Sequence, residues 1–239
     1  MEEIKLNEWF DKIGYNWLDD YNNIGVICYY TKTRIRPDQE CELEDFECSY
    51  GCEQSFFVKS VADWIHAENF FEIGTGRGTA SFSVALNPGI KKIFTMDIRP
   101  YTQKYNYGIG YKQSYVSMQD LYNMIPYDHK SKIEFKTPNQ ISDAGDTKYD
   151  VCFIDGNHDN YDIVMGDFKN CLNVMKDDGI IIWDDYDPNK FVVKKVVDDV
   201  IKMHPEFNTL LVSFRGHLFQ DRPMETGAGE VIMTRRKLF

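Results

Sequence analysis

The chain of 239 residues has no apolar run near the roughly 18 residues that a membrane-spanning helix needs. Its opening, MEEIKLNEWF, is acidic and amphipathic and does not read as a secretory leader. Basic residues are also scarce: 27 Lys and Arg stand against 38 Asp and Glu, a formal net charge of -11. A protein that wraps nucleic acid, or that sits on an anionic membrane, needs a basic face, so neither partner is expected. Cysteines number six at irregular spacing, which excludes a disulfide framework in a chain this long and suits a reducing cytoplasm. Cys41, Cys48 and Cys52 stand as C-x6-C-x3-C, without the close pairs and fourth ligand of a zinc site. Repeats and low-complexity tracts are absent as well. What is present is 43% hydrophobic and 15% aromatic residues, enough for a sizeable core.

The first fifty residues differ from the rest. Leu6, Phe10, Ile13 and Trp17 fall at helical spacing; the polar, aromatic stretch from Tyr21 to Gly51 has little periodicity. Residues 1–53 are therefore read as an N-terminal extension packed on the main domain, either core cover or a lid, and residues 54–239 as that domain. From Gln54 onward, strands alternate with helices. NFFEI, KIFTMDI, KIEFKT, YDVCFID and IIIW read as five strands, with amphipathic segments between them; TLLVSF and EVIMTR close the chain as a pair expected to run antiparallel. Such alternation gives a mostly parallel sheet with both faces covered.

EIGTGRG follows the first of these strands and precedes a helix. Glycines at 74, 76 and 78 allow a sharp turn and close approach of a ligand to the backbone. Asp97 ends the second strand, where a carboxylate can accept hydrogen bonds from both hydroxyls of a ribose. A dinucleotide fits poorly: its fingerprint is G-x-G-x-x-G, position 79 is Thr, and Glu72 sets negative charge beside the loop. A ligand with a cationic centre and no phosphate fits better.

At these residues the sequence resembles the class I S-adenosylmethionine-dependent methyltransferases, whose first motif is E/D-x-G-x-G-x-G with an acidic residue ending the second strand. The resemblance covers residues 54 to about 236. It implies a Rossmann-like, doubly wound sheet of seven strands with an antiparallel last strand. It also implies that Glu72 stabilises the methionine end of the cofactor, that Gly74, Thr75, Gly76 and Gly78 wrap it, and that Asp97 holds its ribose. The adenine contact is expected in TPNQISDAG, with Asn139, Gln140 and Asp143 as candidates and Gln140 as the choice.

Strand YDVCFID ends in Asp155, and IIIW runs into Asp184 and Asp185. The carboxyl ends of parallel neighbours lie on the same side, so three carboxylates converge. A divalent cation offsets their repulsion, and hard oxygen donors suit Mg²⁺. Capping of a turn before Pro188 is the alternative. The pairing resembles the metal-dependent O-methyltransferases of catechol and macrolide-sugar type, with the acidic pair closer to the sugar enzymes. His158, three residues beyond Asp155, is the candidate base that takes a hydroxyl proton, as against an adenine or loop contact. His66, His129, His204 and His217 read as surface or packing residues. The tyrosines at 101, 105, 107, 111 and 115 floor a pocket or pack loops, and nothing selects Arg99 or Arg215 for an anionic substrate.

The sequence thus predicts a metal-assisted, S-adenosylmethionine-dependent O-methyltransferase with Mg²⁺ or another divalent cation as second cofactor. The acceptor is a hydroxyl of a sugar or small molecule, and a homo-oligomer is left open. The rival readings are metal-independent O- or N-methylation and a binding protein without turnover.

Overall fold

The computed structural model describes residues 1–31, 42–106, 115–187, 189, 192–213, 216–219 and 226–239. Cys41, Tyr107, Tyr111, Pro188 and Arg215, with the side chain of Tyr115, lie outside them.

The elements in chain order are β1 (Glu2–Lys5), α1 (Leu6–Ile13), α2 (Tyr21–Tyr30), α3 (Glu53–Trp64), β2 (Asn69–Ile73), α4 (Thr79–Ala85) and β3 (Lys92–Met96). There follow β4 (Tyr105–Asn106), β5 (Tyr115–Val116), α5 (Met118–Met124), β6 (Ile133–Lys136), β7 (Tyr149–Ile154) and α6 (Tyr161–Val174). The chain finishes with β8 (Met175–Tyr186), α7 (Val193–Met203), β9 (Asn208–Ser213) and β10 (Gly229–Thr234). Eight strands form one sheet in the order β1-β9-β10-β8-β7-β2-β3-β6, and β4 and β5 form a separate antiparallel pair. β10 runs antiparallel to both neighbours, β8 and β9; the other pairings of the main sheet are parallel.

The expected α/β, Rossmann-like sheet and its antiparallel β10 are therefore present, with eight strands where seven were expected. The added strand is β1, which pairs parallel with β9 through Glu2 to Lys5. Four residues reading EEIK show no apolar alternation, because only Ile4 is buried. A second difference is α2, read from sequence as irregular. Ile24, Gly25, Ile27 and Cys28 are all buried, and tyrosines crowd the rest, so the polar face that reveals a helical period is weak. A third is the DDG stop after α6: the helix ends at Val174, and Asp177–Gly179 already belong to β8.

The sheet is covered on both sides because its strands alternate between two cores. Phe70, Phe153, Ile182 and Ile232 pack with Leu6, Trp9, Phe10, Ile24 and Ile27 of the N-terminal segment and with α3 and α4. Phe71, Ile154, Trp183 and Val231 pack with Val164 and Phe168 of α6 and Val196 and Val200 of α7. The first thirty residues thus supply part of a continuous core, not a detached flap. No helix among the described residues is long and apolar enough to cross a membrane.

Candidate functional site

The parallel strands β2, β3, β7 and β8 bring their carboxyl ends to one edge, where an open α/β sheet binds ligands. At β2 the glycine loop behaves as its residues demand. Gly74, Gly76 and Gly78 have φ of +97°, +53° and +76°. At Gly74 glycine is obligatory: a Cβ would stand 1.8 Å from the Asp155 carbonyl oxygen. A Cβ on Gly76 would meet nothing within 4 Å, so open space lies against the loop there. The loop also meets α2, since Thr79 Oγ1 donates to Thr31 Oγ1 at 3.0 Å.

Glu72 is buried below this loop. Its Oε2 accepts hydrogen bonds from Ser81 Oγ at 2.6 Å and Thr95 Oγ1 at 2.5 Å. Burial nonetheless outweighs those two donors and pushes its carboxyl up to about 7. A positive group arriving above Glu72 would relieve that cost. Asp97 is the opposite case. Burial would raise it, but Arg99 donates from its backbone, Nε and Nη2, and Gly76 donates its N–H to Oδ2 at 2.9 Å. Together these hold the Asp97 carboxyl below the usual carboxylate range. A cleft lined by Thr75, Gly76, Asp97, Tyr101, Met118 and Phe135 opens beside it.

The adenine candidates are otherwise engaged. Gln140 Oε1 accepts from the Thr137 N–H and Oγ1, each at 3.0 Å, which caps the 3₁₀ turn at Pro138–Ala144. Asn139 takes the Thr137 hydroxyl as well, and Asp143 pairs with Lys136 at 3.1 Å. The flat, apolar surfaces near Asp97 belong instead to Tyr101 and Phe135, whose rings stack 4.8 Å apart, and to Met118.

Across the Gly74 contact lies the acidic half. Asp155 ends β7, and Asp184 and Asp185 lie in the last turn of β8. Adjacent strand residues normally point to opposite faces, yet here a bulge intervenes. Gly229 of β10 pairs with Tyr186 and Val231 with Trp183, so Asp184 and Asp185 together oppose Glu230. Asp185 has φ +53°, a strained value for a residue other than glycine. The bulge leaves Asp185 near His158, whose Nδ1 is 3.9 Å from Asp185 Oδ2, while its Nε2 is 3.3 Å from Asp155 Oδ1. Asp155, His158 and Asp184 each offer a donor atom within 4.8 Å of the other two, the one such metal-sized cluster among the described residues. Asp185 lies beside this cluster and not within it, which departs from the Asp155–Asp184–Asp185 set read from sequence.

Burial first, and then repulsion from neighbouring acids, holds Asp155 and Asp184 well above the usual carboxylate range. Two carboxylates offer hard oxygens that a divalent cation accepts, with His158 at their side, and the crowding is what such an ion relieves. The residues therefore fit a metal. Gln54, from the first turn of α3, donates its Nε2 to Asp184 Oδ1 at 2.8 Å. Asp167 on α6, a partly buried acid pushed by burial to about 6, faces His158. Sequence reading named neither residue as a site residue, and it missed Glu230.

The remaining sequence candidates stay outside the site. His66 and His129 are exposed, His204 packs its ring on Phe168 at 5.3 Å, and His217 is buried. Cys28, Cys48 and Cys52 are buried thiols.

Comparison with known proteins agrees with this layout. Residues 71–186, just under half of the chain, match a family described as a methyltransferase domain. No curated protein matches the sequence. Among solved structures the chain is similar to cofactor-bound Rv0187 from MTB, with TM-score 0.59, 13% identity and 97% of each chain covered. It is similar also to the O-methyltransferase from Bacillus cereus in complex with SAH, with TM-score 0.56, 14% identity and 95% and 98% of the two chains covered. The O-methyltransferase TomG from Streptomyces achromogenes, in complex with SAM, gives TM-score 0.53 at 13% identity, covering 96% and 97%. Residues 71–186 are thus similar to a methyltransferase domain, and the whole chain carries the fold that these O-methyltransferases share.

Proposed function

We propose that the protein transfers the methyl group of S-adenosylmethionine to a hydroxyl of a sugar or other small molecule with divalent-metal assistance. The observation that carries the reading is the convergence of Asp155, His158 and Asp184 within 4.8 Å, next to the glycine loop. In this reading Gly74, Thr75, Gly76 and Gly78 follow the cofactor, Asp97 accepts from its ribose, and buried Glu72 faces its positive methionine end. Gln140, committed to its turn, orders the loop, and the adenine lies between Met118 and the Tyr101–Phe135 pair.

Asp155 and Asp184 would hold the ion, with Asp185 adjoining. When bound, the ion supplies positive charge that makes an acceptor hydroxyl more acidic. His158 receives the hydroxyl proton, which then sits between the carboxylates of Asp155 and Asp185. The oxygen attacks the methyl carbon, the carbon–sulfur bond breaks, and the electron pair leaves on sulfur. A chelating sugar diol suits the acidic pair of β8, as in the macrolide-sugar enzymes that the sequence resembles.

Methyl transfer to a panel of sugar and catechol acceptors, before and after EDTA treatment, tests the proposal. Loss of turnover with EDTA and its return with Mg²⁺ or Mn²⁺ are expected. Full activity in EDTA would remove the metal and reassign the carboxylates to holding an amine.

A further inference from the structure

Glu230 lies on β10, a strand with neighbours on both sides and cores on both faces. It is wholly buried, with the Gln54 amide beside it and Asp184 and Asp185 adding repulsion. A buried carboxylate so poorly compensated is costly, and it persists where a positive charge repays it. No Lys or Arg is recorded as its partner among the described residues. The groups nearest it are Asp184 and Gln54.

The bulge explains why it is there. Because Asp184 and Asp185 together oppose this one residue, β10 delivers Glu230 directly behind the acid that closes the cluster. Gln54 reaches the same carboxylate from α3, at 2.8 Å from Asp184 Oδ1. Asp184 is thus approached from two elements, a neutral donor and a further acid.

We propose that Glu230 and Gln54 are positioning residues for the cation site: Gln54 fixes the Asp184 carboxylate, and Glu230 adds the negative charge behind it that tightens its hold on a divalent ion. This inference rests on the metal-assisted reading above. Glu230 stands outside the 4.8 Å cluster and Gln54 turns its amide N–H to Asp184, so both act through Asp184. Partners placed behind metal-ligating groups typically change metal affinity 10- to 100-fold.

The test is Mn²⁺ titration of the full chain by calorimetry and by electron paramagnetic resonance, without acceptor, alongside S-adenosylmethionine titration of the same samples. Glu230→Gln is expected to weaken Mn²⁺ about 10- to 100-fold. Glu230→Asp should recover part of the loss, and S-adenosylmethionine affinity should stay within about twofold. Gln54→Ala, at a half-buried position, should weaken Mn²⁺ in the same direction, and it serves as the readout if Glu230→Gln fails to fold. Wild-type Mn²⁺ affinity in the variants would overturn the inference and leave the metal-assisted reading standing. A wild-type protein that binds no Mn²⁺, while Asp184→Asn behaves identically, would overturn both.

Discussion

The two halves of the site treat their carboxylates differently. At the ends of β2 and β3, Glu72 and Asp97 receive hydrogen bonds from Ser81, Thr95, Arg99 and Gly76, so the chain itself answers most of their demand. At the ends of β7, β8 and β10, Asp155, Asp184, Asp185 and Glu230 crowd together with one histidine and one glutamine for company. The first half holds its acids ready for a ligand at modest cost. The second is arranged so that a cation would complete it. The difference teaches that burial alone does not mark a site; what distinguishes the second half is how little of its charge the fold compensates.

The most severe way to break the comparison is to separate the halves. Gly74→Ala sets a Cβ onto the Asp155 carbonyl at a positive φ, and we expect a loss of at least about 3 kcal/mol, or no folded protein, by thermal and urea denaturation. A smaller and more informative change is Asp184→Asn. Turnover should fall at least about 100-fold, while the metal-free protein gains about 1–2 kcal/mol in denaturant melts, because a buried like charge is gone. If instead the variant is less stable without metal, the crowding is not the burden described.

Next is Glu72→Gln, which tests the half that is nearly satisfied. The folded carboxyl titrates near 7 against an ordinary 4.5, so protonation favours the folded state. The wild-type stability is full below pH 4.5 and falls as pH rises through 7, by about 3 kcal/mol. Glutamine should flatten that slope in cofactor-free melts from pH 5 to 8 and weaken S-adenosylmethionine about tenfold in calorimetry. The smallest effect is expected from Arg99→Ala. Its guanidinium covers Asp97, which the ribose would share, and its removal should tighten S-adenosylmethionine only about two- to fivefold.

Much of this was legible in the sequence because it rests on local rules. The glycine loop, Asp97 and the ends of YDVCFID and IIIWDD are signalled by residue types that strand ends and turns require. Glu230 was not legible. In GEVIMT a lone glutamate reads as the solvent side of an edge strand, and only the insertion of β10 between β8 and β9 buries both of its faces. The placement of Asp185 was hidden for a related reason: its identity is visible, but the bulge that sets it beside the cluster depends on pairing with a strand over forty residues away. Gln54 was hidden too, because its contact to Asp184 spans 130 positions.

The pairing of β1 with β9 bears on how the molecule is made. Glu2 to Lys5 are made long before their partners at 210–213, with about two hundred positions of chain between them. That closure is among the most distant in the chain, and such contacts form late. Until they form, β9 offers an unpaired backbone edge to any other strand, and Glu3, which receives Ser213 and Gly227, has nothing to fasten. Shortening the chain by its first five residues would leave that edge open permanently, with aggregation during expression as its visible sign.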